Sequence, residues 1–332
     1  MDVLGTKYTH RCLSLLALLL AAAWPLCAQA PYSSPGAAVT AVSASPDSDQ
    51  SDNPVLTIRK RVDEVNLLFI AMDHHGKFVR DLNLDDFTIL DDHKPPQAIV
   101  NFTRQTDLPL QLGLLVDTSG SVHSRFGFEQ EAALSFLQHT LRPNFDQAFI
   151  MGFNSHSRVT QDFTDNLGLL TAGVNRLQNG GGTALYDAIY HACRDKLNRE
   201  KTEQPVRHAI IVVSDGEDNQ SEATLGQAIE MAQRGQVIIY AISTDDSGLI
   251  LRGDKILAQL AAATGGRAFF PFKMKDITRA FGAIEDELRS QYVVSYRPAD
   301  FDADGRYRAI QITSDRKDLT IRAREGYYAP RQ

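Results

Sequence analysis

Leu110–Ser121 reads LQLGLLVDTSGS, and the fold turns on how that stretch is read. An apolar run to Val116 stops abruptly at Asp117, Thr118, Ser119, Gly120 and Ser121. A short uncharged run ending in small polar residues has the pattern of a strand buried on both faces as it leaves a sheet at its carboxyl end. Open parallel sheets bind their ligands just beyond that end. Asp117, Ser119 and Ser121 stand at i, i+2 and i+4. In an extended or gently turning loop that spacing aims all three side chains to one side. One carboxylate and two hydroxyls directed at one point make a hard oxygen site, suited to Mg²⁺, Mn²⁺ or Ca²⁺.

Beyond Asp117 the pattern alternates. Phe126–Leu141 is amphipathic and ends before Pro143, and Gln147–Phe153 (QAFIMGF) reads as a buried strand. Arg158–Phe163 reads as an edge strand and Leu167–Leu177 as a helix. Gly180, Gly181 and Gly182 then lead into Thr183 and a helix over Ala184–Leu197. Ala209–Val213 is a second buried strand, and it too ends in an acidic loop, Ser214-Asp215-Gly216. Thr224–Arg234, Lys255–Thr264 and Ile277–Arg289 read as helices, with strands at Val237–Ile242 and Ala268–Phe270 between them. Strands alternating with helices predict an α/β fold, a doubly wound, mostly parallel, Rossmann-like sheet.

Three segments together carry a resemblance. DTSGS at 117–121, NGGGTALYD at 179–187 and VVSDGEDN at 212–219 resemble the metal-ion-dependent adhesion site of von Willebrand factor type A domains, the fold of integrin I domains. The family pattern is Asp-x-Ser-x-Ser, a distant Thr, then a distant Asp at another strand end. The matching positions are Asp117, Ser119, Ser121, Thr183 and Asp215, and the likeness runs roughly from Leu110 to Arg289. It implies that Ser119 and Ser121 ligate through their hydroxyls. Asp117 ligates directly or through water, Thr183 in one conformation, and Asp215 through water. It also implies a resident divalent cation, Mg²⁺ first, with Mn²⁺ or Ca²⁺ as alternatives. The partner it implies is a protein presenting an exposed Asp or Glu that completes the cation's shell. The bland alternative is a metal-free cluster of turn residues capping helices, since Asp and Ser are favoured N-caps.

The flanks read differently. Val55–Thr106 contains β-rich runs (VLTIRK, VNLLFIAMD, AIVNFTR) broken by turns, and Tyr292–Ala329 returns to that pattern in three runs, YVVSYRP, RYRAIQITS and LTIRAREGYY. Turn signals about every ten residues suggest an antiparallel sandwich, too short on either side to be complete. The expectation is one β-sandwich-like region with a half at 55–106, the type A-like domain at 107–290 inserted, and closing strands at 291–330. Order and ending also resemble bacterial secreted proteins of this family. Asp300–Gly305 (DFDADG) opens like a calcium loop, but position twelve is Gln311 where glutamate is required. A hairpin turn is the reading adopted, with Ca²⁺ the alternative.

A chain of 332 residues has room for about two domains. With 43% hydrophobic and 23% charged residues it can build a sizeable core. Net charge of −7 without a Lys/Arg run argues against nucleic acid. Lys7, His10 and Arg11 precede the apolar CLSLLALLLAAAW at 12–24, the pattern of a secretory signal over 1–28 cleaved after Ala28. An uncleaved anchor, or a lipid on Cys27, is the alternative. The Pro- and Ser-rich 29–54 reads as a disordered linker. The mature chain is expected to be secreted, periplasmic or held in a cell envelope, without crossing a membrane. Cys193 would be its sole cysteine, so no internal disulfide is available.

No HExxH, GxSxG or P-loop lysine is present, and His123 is the one base near the first loop. These observations favour a binding and adhesion module over an enzyme. The alternatives are a structural envelope component with a fold-stabilising metal and, behind it, a metal-dependent hydrolase.

Overall fold

The computed structural model describes residues 64–104, 108–120, 126–198, 206–245 and 247–331. The expected signal, the linker and the VLTIRK strand lie outside those residues. Among the described residues no helix is long and apolar enough to cross a membrane.

The apolar run at 110–116 forms β4 (Leu110–Asp117), central in a six-stranded sheet. β5 (Gln147–Phe153) and β7 (Arg207–Ser214) flank it, both parallel to it. β8 (Val237–Ser243) and β9 (Ala268–Phe269) extend the sheet on one side, and β6 (Ser157–Thr164) is an antiparallel edge on the other. Period-two alternation within β4 sends its residues to two cores. Leu112, Leu114 and Val116 pack with α1 (Phe126–Thr140), α2 (Leu167–Asn175) and α6 (Met274–Leu288). Leu115 faces α3 (Leu185–His191), α4 (Leu225–Arg234) and α5 (Arg252–Thr264). Burial on both faces explains why this strand carries almost no polar side chains. From β4 the chain winds to one side of the sheet, and from β7 to the other. The crevice between their carboxyl ends is a topological switch point.

Outside this unit lie two antiparallel sheets. One takes β1 (Val65–Asp73) and β3 (Ala98–Arg104) from before the α/β unit, and β10 (Tyr292–Arg297) and β12 (Leu319–Ala323) from after it, in the order β12-β1-β10-β3. The other joins β2 (Phe87–Asp91) to β11 (Tyr307–Ser314) and β13 (Gly326–Tyr328), in the order β13-β11-β2. Leu67, Phe69, Phe87, Ile89, Tyr292, Val294, Tyr296, Ile310 and Tyr327 form their common core. Inside it the hydroxyls of Tyr296 and Tyr327 donate to Asp91 Oδ2 at 2.8 and 3.1 Å.

The structure corrects three expectations. LTIRAREGYY is two strands, not one: β12 ends at Ala323, and the chain then crosses so that β13 pairs with β11 in the other sheet. Gly326 permits this because a Cβ there would lie 2.3 Å from the Arg308 carbonyl oxygen. DFDADG is not a hairpin turn either, because β10 and β11 belong to different sheets. The helix expected over Ala184–Leu197 turns π-helical over Ala192–Leu197, where the Asn198 N–H reaches Cys193 O, five residues back, at 2.9 Å.

Leu114 is fully buried in the first core. Leu114→Ala should lower the unfolding free energy by roughly 2–5 kcal/mol, read by urea denaturation; a loss under about 1 kcal/mol would mean that this strand is not the packing centre. Asp91 gives a pH signature. Its burial raises the carboxyl above the ordinary range, against the two tyrosine hydroxyls that favour the ionised form. A raised carboxyl contributes stability in acid that is lost as pH rises through its folded pKa. Asp91→Asn removes that dependence, so the variant should gain on the wild type as pH rises from about 4 to 7. A difference that stays constant with pH would contradict the assignment.

Candidate metal centre

Asp117 is the last residue of β4 and is fully buried. Its Oδ1 accepts the Ser119 N–H at 2.8 Å, the ordinary Asp turn two residues on. Its Oδ2 accepts the Ser214 hydroxyl at 2.6 Å, from the last residue of the neighbouring β7. Thr118 turns the other way, its N–H and hydroxyl both donating to Phe153 O at 2.8 and 3.0 Å. The first loop is thus pinned between the ends of β5 and β7.

The glycine loop docks on it through backbone. Gly180 N–H donates to Thr118 O at 2.7 Å, and Gly120 N–H to Gly181 O at 3.4 Å. Gly180 and Gly181 have φ of 137° and 93°, a region that side chains disfavour. Thr183 follows, buried, and the third loop grips its peptide. Its N–H donates to Asn219 Oδ1 at 2.9 Å, while its carbonyl accepts the N–H groups of Asn219 and Gln220 at 2.9 and 3.0 Å. Asp218 Oδ2 caps the start of α3 through Tyr186 N–H at 3.0 Å, and Asp187 returns the contact to Glu222 N–H and Ala223 N–H at 3.0 and 2.8 Å.

Asp215, half-buried, opens the third loop and accepts the Glu217 N–H at 3.0 Å. Gly216 next to it has φ of 79°, and a Cβ there would stand 2.3 Å from Gly253 O at the start of α5. Three loops, two leaving the ends of β4 and β7 and one joining α2 to α3, are therefore interlocked. Asp117 and Ser119 are in direct contact, and Thr183 and Asp215 sit on loops bonded to theirs. Ser121 and His123 lie outside the described residues.

Sequence reading missed Ser214, Ser155 and Asn219. Ser155 Oγ accepts the Gly182 N–H at 2.9 Å. Their signal was present, since Ser and Asn accept backbone N–H groups in turns, but which turn each serves depends on loops distant in the chain. Within 215–219, Asp218 and Asn219 serve as clasps, on the start of α3 and on the Thr183 peptide.

Burial raises the Asp117 carboxyl above the ordinary range. The hydroxyls of Ser214 and Ser119 and the Ser119 N–H oppose this, and the neighbouring charge of Asp215 adds to it. A buried carboxylate, a like charge beside it and the hydroxyls of Ser119 and Ser214 upon it form a donor set that a hard divalent cation would relieve. The residues fit such an ion: Asp117, Ser119 and Thr183 would hold it, with Asp215 behind them. Among the described residues no point gathers three or more His, Cys, Asp or Glu, so the donor set is carried by hydroxyls as much as by acids.

Residues 112–217 match the von Willebrand factor type A domain. That match spans β4 through Glu217, with Asp117, Thr183 and Asp215 inside it. Solved structures are similar over wider stretches of the chain. Proximal thread matrix protein 1 from the mussel byssus, with a zinc-occupied MIDAS motif, is 14% identical over 59% of this chain and 49% of its own, at a TM-score of 0.48. A von Willebrand factor type A protein from Catenulispora acidiphila is 13% identical over 78% of this chain and 71% of its own, also at 0.48. BatB from Bacteroides thetaiotaomicron is 17% identical over 53% and 98%, at 0.41. The chain spans about half the length of the mussel protein. Among curated proteins, none matches it in sequence.

Ser214→Ala leaves Asp117 Oδ2 buried without its hydroxyl donor and should destabilise the α/β unit by about 1–3 kcal/mol; Ser214→Thr, which keeps the hydroxyl, should recover part of that. Gly216→Ala should be at least as damaging, since both its backbone and Gly253 forbid a Cβ. Equal stability of the Gly216→Ala variant and the wild type in urea would refute the loop packing.

Proposed function

We propose that the protein is a metal-dependent binding and adhesion module acting outside the cytoplasm, in which a divalent cation at Asp117, Ser119, Ser121, Thr183 and Asp215 is completed by a carboxylate of a partner protein. The observation that carries this reading is the buried Asp117, charged against Asp215 and ringed by hydroxyl-bearing loops at the switch point of the sheet. A bound cation supplies a coordination position open to an outside oxygen ligand. The chain's own residues hold the loops in register and keep Asp117 away from bulk water.

Two observations favour binding over the rival readings. The loops are tied to one another by hydrogen bonds that need no ion, so a metal has little left to do as a structural staple. Among the described residues the hydrogen-bond partners of Asp117 are Ser119 and Ser214, neither of them a general base. Mg²⁺ is the first choice for oxygen ligands of this kind, and Mn²⁺ is the practical probe.

The test is thermal unfolding of the chain with Mg²⁺, Mn²⁺ or Ca²⁺, beside Asp117→Ala. Binding to the folded state alone should stabilise by about 2.7 kcal/mol at a hundredfold excess over Kd, and the gain should vanish in the variant. With Mn²⁺ bound, solvent-proton relaxation should fall when a short peptide with an exposed Asp is added, and stay unchanged with the Asn peptide. No metal-dependent rise overturns the site; a rise with no peptide effect overturns the carboxylate partner.

A further inference from the structure

The amino-terminal edge of the central sheet, opposite to Asp117, holds a cavity of about 330 Å³ lined by five arginines: Arg80, Arg104, Arg142, Arg207 and Arg289. It lies where the chain enters and leaves the type A unit, beside the first residues of β4 and β7, the end of β3 and the end of α6. In a chain of net charge −7, such a concentration of guanidinium is not background. The lining carboxylate among the described residues is Asp146, which Arg142 grips in a fork at 2.8 and 2.9 Å. Burial pushes that carboxyl up, but its bonds from Arg142 and from the Arg142 and Leu110 N–H groups hold it below the ordinary range. Arg289 is paired with Glu285 at 2.9 Å.

The remaining guanidiniums are differently engaged. Arg207, 7% exposed, is locked by carbonyls, donating to Leu288 O at 2.6 Å and Leu108 O at 3.2 Å. Arg80 donates Nε and Nη2 to the hydroxyl of Ser290 at 3.2 and 3.0 Å. Arg104 is exposed, and its side chain makes no ion pair or hydrogen bond among the described residues. Positive charge is therefore brought to one cavity from the loop at Arg80, from β3 and β7, and from the residues just after α1 and α6, and part of it is fixed by buried neutral acceptors. Gathering like charges is unfavourable unless an anion relieves them. Arginine forks arriving from several directions suit a tetrahedral oxyanion with oxygens on all sides better than a planar carboxylate. The volume is at the small end of ligand pockets.

We propose that this cavity is a second ligand site, taking a compact phosphate-class oxyanion of two or more negative charges. It is independent of the metal centre and of the binding reading given to it. The experiment is calorimetric titration of the metal-free chain with inorganic pyrophosphate and, in a separate arm, with citrate, at constant ionic strength near 0.15 M where diffuse attraction is screened. The variants are the double Arg80→Ala/Arg104→Ala, at two exposed positions, and Asp117→Ala at the far end of the sheet. Unchanged melting of the double variant in chloride buffer establishes that it folds. If it melts lower, Arg104→Ala alone replaces it. Saturable one-to-one pyrophosphate binding is expected in wild type and Asp117→Ala, weakened about tenfold or more in the arginine variant. No saturable binding, or equal affinity in the arginine variant, overturns the site. Tighter binding of citrate than of pyrophosphate overturns the phosphate class.

Discussion

Tyr292 and Arg104 face each other across an antiparallel ladder, and the molecule depends on that pairing. β3 delivers the chain to the α/β unit at Arg104, and β10 receives it back at Tyr292. The whole α/β unit is thus hung from two adjacent strands of one sheet. The neck is made stiff. The Tyr292 hydroxyl accepts the Leu82 N–H and donates to Val79 O, both at 3.2 Å. Arg207 ties the start of β7 to the end of α6. Asp146 accepts the Leu110 N–H at 2.8 Å and so sets where β4 begins. The sandwich grips α6 again through Glu287, fully buried and paired with Arg322 of β12. Burial raises that carboxyl and the guanidinium opposes it. Breaking such a pair from one side would strand the other charge.

A parallel sheet has two unlike ends, and this one uses both. Its carboxyl edge carries hydroxyls and acids on three interlocked loops, where side chains beyond the strands can converge. Its amino edge carries arginines, where the same strands begin. The chemistry of the two ends is opposite in sign. Placement at the neck also puts the arginine cavity beside both the strand β3 and the end of α6, the helix that leaves the α/β unit.

The shape of the three interlocked loops comes from backbone more than from side-chain packing. Gly180, Gly181 and Gly216 adopt backbone conformations that other residues disfavour, and Gly216 and Gly253 meet so closely that neither can carry a Cβ. Asp, Asn and Ser side chains then satisfy the N–H groups that such tight turns expose. The result is a set of loops pre-arranged before any ligand arrives, which is what a site needs if binding energy is not to be spent on ordering it.

Much of the fold was legible from local pattern. Gln147–Phe153 and Ala98–Arg104 occur as read, because an apolar or alternating run bounded by turn residues has one good use. The acidic strand ends were legible for the same reason: Asp117 and Asp215 interrupt runs that burial would otherwise keep apolar. Local pattern could not show that Ser214 serves Asp117, that Asn219 holds Thr183, or that β12 and β13 part at Arg324 to join different sheets. Nor could it gather Arg80, Arg104, Arg142, Arg207 and Arg289, which stand far apart in the chain. The sequence by itself determined which segments become strands and helices and which strand ends carry hard oxygen donors, since periodicity and residue type act over a few residues. Tertiary structure alone decided which donors meet, because hydrogen bonds and charges act through space at about 3 Å, and only the closed neck brings distant segments that near.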